Sequence, residues 1–387
     1  MKILSDFKFN GEKVLLRVDF NEPIKDSRLA SNFRLRATLP TIEYLLEQSA
    51  KVILLTHLGR PEGKVEEELR TDLLGKDLSL LIGRKVKKLD GCVGEEIKKE
   101  IDGMRPGEII LLENVQFEPG EKANNPKFAA ALAELADFFV SDAFGQSHRD
   151  YASISGAPKL LPSCAGLLLA KEIKVLSGVL EKPKRPLTVI VGGAKISTKI
   201  ELIENLSIKA DYFLLGGALA NTFLKAKGIS VGKSVIEEEM VGRVREMNLD
   251  SDKIISLTDG VVSASPDGKS DSRVSPIGDL GENEMILDIG PKTVKKFEDI
   301  IKQAKMIVWN GPMGLFEIGS FAAGSAAIAK AVAKSGAFSL VGGGETIALL
   351  EGLNLLDKMS HVSTGGGAML KFLAGGKLPG IEALNSR

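Results

Sequence analysis

Short apolar runs punctuate this chain, and its two halves end them in opposite chemistries. In the N-terminal half VLLRVDFN (14–21), VILLTHLGR (52–60), IILLENVQ (109–116) and FFVSDAFG (138–145) stop in charged and polar groups. In the C-terminal half VIVGGAK (189–195), FLLGGA (213–218), IVWNGPMG (307–314), LVGGGET (340–346) and VSTGGGA (362–368) stop in glycine. Amphipathic stretches such as LPTIEYLLEQ (39–48), KFAAALAELA (127–136) and PKTVKKFEDIIKQ (291–303) lie between the runs, and this alternation predicts repeated βα units around parallel sheets. Ligands of a parallel α/β sheet bind outside the carboxyl ends of its strands, so the contrast predicts two different sites. One reads a small anion with side chains; the other cradles phosphates with bare backbone.

Between the halves, Leu169, Ile173, Leu176 and Leu180 fall at helical spacing between Pro162 and Pro183. The spacing fits a linker helix and equally a surface helix of one domain. At 387 residues the chain is long for one core, and two domains are expected. Its 51 basic and 51 acidic residues cancel, so no global field draws it to nucleic acid or an anionic membrane, and anion recognition must be local. Cys92 and Cys164 lie in no metal or redox spacing and read as buried or incidental thiols. With no signal peptide and no run near the length of a membrane span, a cytoplasmic protein is expected.

Arg34, His57, Arg60, His148 and Arg149 sit at or near the polar strand ends, with Asp19 and Asn21 on the first. Arginine forks bind carboxylate and phosphate bidentately, so the set implies a small, highly anionic metabolite; each arginine also fits an ordinary surface ion pair. The histidines show no metal-ligand spacing, which favours hydrogen bonding to substrate. In GGAKISTK (192–199) a helix starting near Ala194 would project Lys195 and Lys199 from one face of its first turn. The helix dipole opposes positive charge there unless an anion is bound; the other reading is a solvated lysine face. At GGGE (342–345) helix-start amides can hold phosphate, while Glu345 either ligates Mg²⁺ or simply stabilises its helix N-terminus. In WNGPMGLFE (309–317), Pro312, Met313 and Phe316 could line an apolar nucleotide slot with Glu317 near a ribose hydroxyl, and a plain turn fits the same residues. GISVGKS (228–234) is one residue short of a Walker A loop and follows a helical stretch; no G-x-G-x-x-G occurs.

Taken in order, RVDFN, HLGRP, GGAK, WNGPMG and GGGE resemble the phosphoglycerate kinases over essentially the whole chain, and NFRLRATLP (32–40), LLENVQF (111–117), SDAFGQSHR (141–149) and HVSTGGGAML (361–370) extend the likeness. The resemblance implies two Rossmann-like α/β domains with parallel sheets flanked by helices. Residues 1–165 would bind 3-phosphoglycerate or 1,3-bisphosphoglycerate, and residues 166–366, including linker helix 166–182, the Mg²⁺ nucleotide. The segment 367–387 would return to the N-terminal domain. Asp19, Asn21, Arg34, His57, Arg60 and Arg149 would hold the acid, with Gln116 where the family carries arginine. Arg34, Lys195, Lys199, Gly343 and Gly366 would act on the migrating phosphoryl group. Gly193, Ala194, Gly216, Gly217, Leu287, Asn310, Pro312 and Glu317 would line the adenosine. Lys195, Lys199, Gly342, Gly343, Gly344, Glu345 and Thr346 would hold the ADP or ATP phosphates, with Glu345 taking the family's aspartate position at Mg²⁺. A monomer working by direct in-line transfer after hinge closure is implied. Glu22 replaces a small family residue. Gln116 and Glu345 leave two other readings open, an inert nucleotide-binding module and a kinase for a related carboxylate.

Overall fold

The computed structural model describes residues 1–247 and 252–385, which form two compact units. The first comprises Met1–Lys174 and Lys377–Arg387, the second Val175–Gly376. Residues 386 and 387 of the expected returning segment lie outside the described residues.

In the first unit β1 (Lys13–Arg17) is followed by a small antiparallel ribbon, β2 (Ile24–Lys25) and β3 (Arg28–Leu29). Then come β4 (Lys51–Leu55), β5 (Val86–Lys88), β6 (Ile109–Leu111), β7 (Phe138–Ser141) and β8 (Ser163–Ala165). The main sheet runs β5-β6-β4-β1-β7-β8, with every pair parallel. Its central strands carry apolar residues on successive positions because both faces are covered: Val14 and Leu16 join one buried cluster with Leu54 and Val140, while Leu15 joins another with Ile53 and Phe139. The chain winds to one side from β1 to β4 and to the other at β7 and β8, so the strand order reverses at β1 and β7. Such a reversal opens a crevice outside the carboxyl ends of the two strands.

The second unit carries β9 (Leu187–Val191), β10 (Tyr212–Leu215), β11 (Ile254–Ile255), β12 (Asp259–Ser263), β13 (Ser272–Pro276), β14 (Met285–Ile289), β15 (Met306–Asn310), β16 (Phe338–Gly342) and β17 (His361–Ser363). Its main sheet is parallel, in the order β11-β10-β9-β15-β16-β17, and reverses between β9 and β15. This is the dinucleotide-fold strand order without the glycine fingerprint. An antiparallel sheet, β13-β12-β14, is inserted before β15 and was not expected from the sequence.

The helix Leu167–Glu181 forms where the leucine spacing predicted, with Leu169, Leu176 and Val179 buried. The division between the units falls inside it, at Lys174 and Val175, rather than at 165 and 166. The second crossing lies after Gly376 rather than after 366, because the helix Gly366–Leu373 packs in the second unit, where Asn205 Nδ2 donates to Leu373 O at 2.6 Å. The chain then enters the first unit, and the Gly380 amide donates to Ser147 O at 3.0 Å.

Candidate active site

In the first unit the expected acid-binding residues gather outside four adjacent strands. Asp19 and Asn21 follow β1, His57 and Arg60 follow β4, Gln116 follows β6, and Arg149 follows β7. Backbone bonds fix these ends: the Phe20 amide donates to Thr56 Oγ1 at 3.0 Å, and the Gly59 amide to Asn21 Oδ1 at 2.8 Å. Asp19 and His57 are buried, with His57 Nδ1 3.8 Å from Asp19 Oδ1. Arg60 and Arg149 are exposed, and His148 is half-buried beside Arg149. Arg34 stands on the first turn of the helix Phe33–Glu47, where its Nη1 donates to the Asn21 carbonyl.

Burial pushes the His57 imidazole down to about 4, against the pull of Asp19, so it is neutral at pH 7. Burial alone would raise Asp19, but the charges of His57 when protonated, Arg34 and Arg17 outweigh it and hold the carboxyl below its ordinary range. Gln116 is buried, and its Oε1 has no hydrogen-bond partner among the described residues.

Arg17 is a cation the sequence reading missed. It ends β1 fully buried, its Nε donating to Ser153 Oγ at 2.8 Å, and Ser153 Oγ in turn donating to Glu121 Oε1 at 2.6 Å. Burial lowers its pKa while Glu121 and Asp19 oppose the shift. The signal was an arginine set inside an apolar run, which reads from sequence as strand.

In the second unit a cavity of about 240 Å³ lies at the reversal between β9 and β15. Its walls include Gly193, Ala194, Gly217, Leu287, Pro312, Glu317 and Glu345, all expected, and Met313. Asn221, Met285 and Asp288, not singled out from sequence, also line it. The close approach of chain segments explains the glycines: a Cβ on Gly192 would come 1.9 Å from Pro312 O, and one on Gly217 would come 2.7 Å from the Gly193 amide nitrogen.

Other expected residues are placed differently. Phe316, Gly216, Asn310 and Thr346 are not among the cavity walls. Asn310 Nδ2 donates to Gly342 O at 2.8 Å, and Thr346 Oγ1 accepts the Gly311 amide at 2.8 Å, so both fasten the turn after β15 to the GGGE junction. That junction is built as expected: Gly343, with φ of +102°, precedes the helix Gly344–Gly352, whose first turn carries Glu345. Gly365 likewise precedes the helix Gly366–Leu373.

The helix expected near Ala194 begins instead at Ile200, with Lys199 at its cap. GGAKISTK is a loop, held by Ser197, whose amide and hydroxyl both donate to Glu237, at 2.9 and 2.7 Å. Lys195 is therefore exposed while Lys199 is buried, its Nζ donating to the Gly192 carbonyl. The space that a Cβ on Gly193 would occupy lies 2.8 Å from Lys199 Nζ and 3.4 Å from Glu345 Oε2, so opposite charges flank that glycine. Burial lowers Lys199 to about 8, with Glu345 opposing. Asp288 is raised to about 7 by burial, although the Gly324 and Ile289 amides donate to it at 2.7 and 2.9 Å.

A wider depression of about 630 Å³ in the same unit contains none of the expected residues, and its Glu204 and Arg243 already pair at 2.8 Å. Among the described residues no three His, Cys, Asp or Glu side chains group to hold a metal ion. Cys92 and Cys164 are free thiols, buried as the sequence suggested, and burial raises both.

The family model described as phosphoglycerate kinase matches residues 4–376. The chain belongs to that family. Phosphoglycerate kinases of Moorella thermoacetica and Dictyoglomus turgidum are each 46% identical to it, over 99% of this chain and 99% and 98% of theirs. The phosphoglycerate kinase structure from Coxiella burnetii aligns with a TM-score of 0.88 at 41% identity, covering 100% of this chain and 99% of that one. The Pyrococcus horikoshii enzyme aligns at 0.89 and 35% identity, over 100% and 98%. As a member of this family the chain is a kinase with ATP and ADP as substrates.

Proposed function

We propose that the side-chain-lined site and the glycine-lined site divide one reaction between them. The chain moves the acyl phosphoryl group of 1,3-bisphosphoglycerate to ADP, reversibly, giving 3-phosphoglycerate and ATP. Asp19, Asn21, Arg34, His57, Arg60 and Arg149 hold the acid and its 3-phosphate, and neutral His57 serves as a hydrogen-bonding group rather than a cation. The nucleotide lies in the cavity of the second unit, its base against Leu287 and Pro312, its ribose toward Glu317, and its phosphates over the Gly342–Gly344 and Gly365–Gly367 amides.

The observation that carries this reading is the convergence of Lys199 and Glu345 on Gly193. A carboxylate beside a cation and a row of amides suits a nucleotide arriving with Mg²⁺, which takes one or two carboxylates and fills its remaining positions with phosphate and water. Glu345 would hold the ion, which when bound neutralises phosphate charge. Phosphoryl transfer needs alignment and charge neutralisation more than covalent help, so in-line transfer without a phospho-enzyme follows. Lys195 and Arg34 belong to different units, and the reading has both act on one phosphoryl group, with hinge closure excluding water during transfer.

Lys195→Ala tests the assignment in a coupled assay of ATP-dependent phosphorylation of 3-phosphoglycerate. Its kcat should fall by at least a hundredfold while nucleotide affinity changes by less than tenfold; unchanged turnover refutes the role. No helix among the described residues is long and apolar enough to cross a membrane. The same reading has the chain acting as a cytoplasmic monomer, which a sedimentation mass near 41.4 kDa would support.

A further inference from the structure

Glu22 sets a carboxylate beside Arg34 in a site that also holds Asp19. It is 4% exposed, and its Oε1 accepts the backbone N–H of Arg34 at 2.6 Å. That N–H belongs to the first turn of the helix Phe33–Glu47, where amides have no partner within the helix. Asn32, at the cap position, makes no capping bond of its own; its Oδ1 accepts from Arg36 Nε at 2.9 Å instead. Glu22 thus caps this helix from the loop after β1.

Its second oxygen faces the same residue's charge, with Oε2 3.5 Å from Arg34 Nη1. At that separation the two groups form an ion pair. The guanidinium is anchored on the same stretch of chain by the Asn21 carbonyl. One carboxylate therefore fixes where Arg34 begins and offsets the charge it presents. Because Glu22 is buried, salt screens that offset poorly.

We propose that Glu22 is a positioning residue that limits the affinity of the anion site, orienting Arg34 through the first turn of its helix while cancelling part of its positive charge. The proposal rests on the assignment of Arg34 to the acid substrate. An incoming phosphate or carboxylate meets Arg34 and Glu22 together, so its attraction to the site is weaker than the arginine alone would give. Release of a multiply charged product is eased by the same offset.

Glu22→Gln separates the two roles, since the amide oxygen can still accept the Arg34 N–H while the charge is gone. The KM for 3-phosphoglycerate, and its Kd by calorimetry, should fall at least threefold, with the KM for ATP and the thermal midpoint unchanged. In an Arg34→Ala background the same substitution should again lower both constants, because the carboxylate repels the anion with or without the guanidinium, and no effect there overturns the charge offset. Glu22→Leu, which removes cap and charge together, should lower the thermal midpoint. A KM that stays the same or rises in Glu22→Gln overturns the proposal and leaves Glu22 a helix cap only. If Arg34→Ala alone alters neither turnover nor the KM for 3-phosphoglycerate, the substrate assignment fails, and the proposal with it.

Discussion

His57 Nδ1 lies 3.8 Å from Asp19 Oδ1, and both side chains are buried. Burial holds the imidazole near 4 in the folded chain against an ordinary value of 6.5, so below pH 6.5 the unfolded chain takes up a proton that the folded one refuses. Stability should therefore fall as pH drops from about 6.5 to 4, by up to roughly 3 kcal/mol from this group alone. Denaturant unfolding of the wild type and of His57→Gln across that range measures it. The substitution should flatten this part of the profile, and an unaltered slope would assign the acid sensitivity elsewhere.

Lys199 should impose an alkaline limit on nucleotide use. Its ammonium, lowered by burial to about 8, is the form that attracts phosphate, so kcat/KM for ADP should decline as pH rises through about 8. Glu345 raises that value, so Glu345→Gln should move the limb to lower pH. A pH series on both proteins reads the displacement; a limb that does not move would mean the two side chains are uncoupled in the working enzyme.

Glu345 should also set the metal requirement. Glu345→Ala is expected to raise the Mg²⁺ concentration for half-maximal activity by about tenfold, the loss of one charged ligand contact of ~1.5 kcal/mol. Titrating Mg²⁺ at saturating nucleotide gives the number. An unchanged requirement would leave Glu345 as a stabiliser of its helix.

Gln116, after β6, carries a buried acceptor with no partner among the described residues. Gln116→Arg should lower the KM for 3-phosphoglycerate by about tenfold, since a charge-assisted bond is worth ~1.5–3 kcal/mol. No change would show that Arg34, Arg60 and Arg149 already suffice. Gln116→Met should leave the unfolding free energy equal or slightly higher, because it removes an unsatisfied buried group.

The polar and glycine endings of the apolar runs marked where strands stop because strand ends are local: β1, β4, β9 and β15 stop beside Asp19, His57, Gly192 and Gly311. What depends on distant contacts was not legible. The lysine spacing in GGAKISTK imitates a helical turn, but the segment is a loop tied to Glu237, 40 residues on from Ser197. Strand β13 is exposed at four of its five positions and has the look of a loop, so the antiparallel sheet that brings Met285 and Asp288 to the cavity left no periodic trace. Arg17 was hidden by its apolar neighbours, and its partner Ser153 lies 136 residues away.

The close passage of Gly192 beside Pro312 and of Gly217 beside Gly193 also bears on how this protein can change. Where a wall is main chain, no exchange of side chains reshapes it, and almost any added carbon collides with it. Selection for altered acid preference can proceed one codon at a time around Gln116 and Glu22. Variants selected for new nucleotides should instead collect insertions, deletions or shifts in the loops that hold these crossings, leaving the glycines themselves untouched.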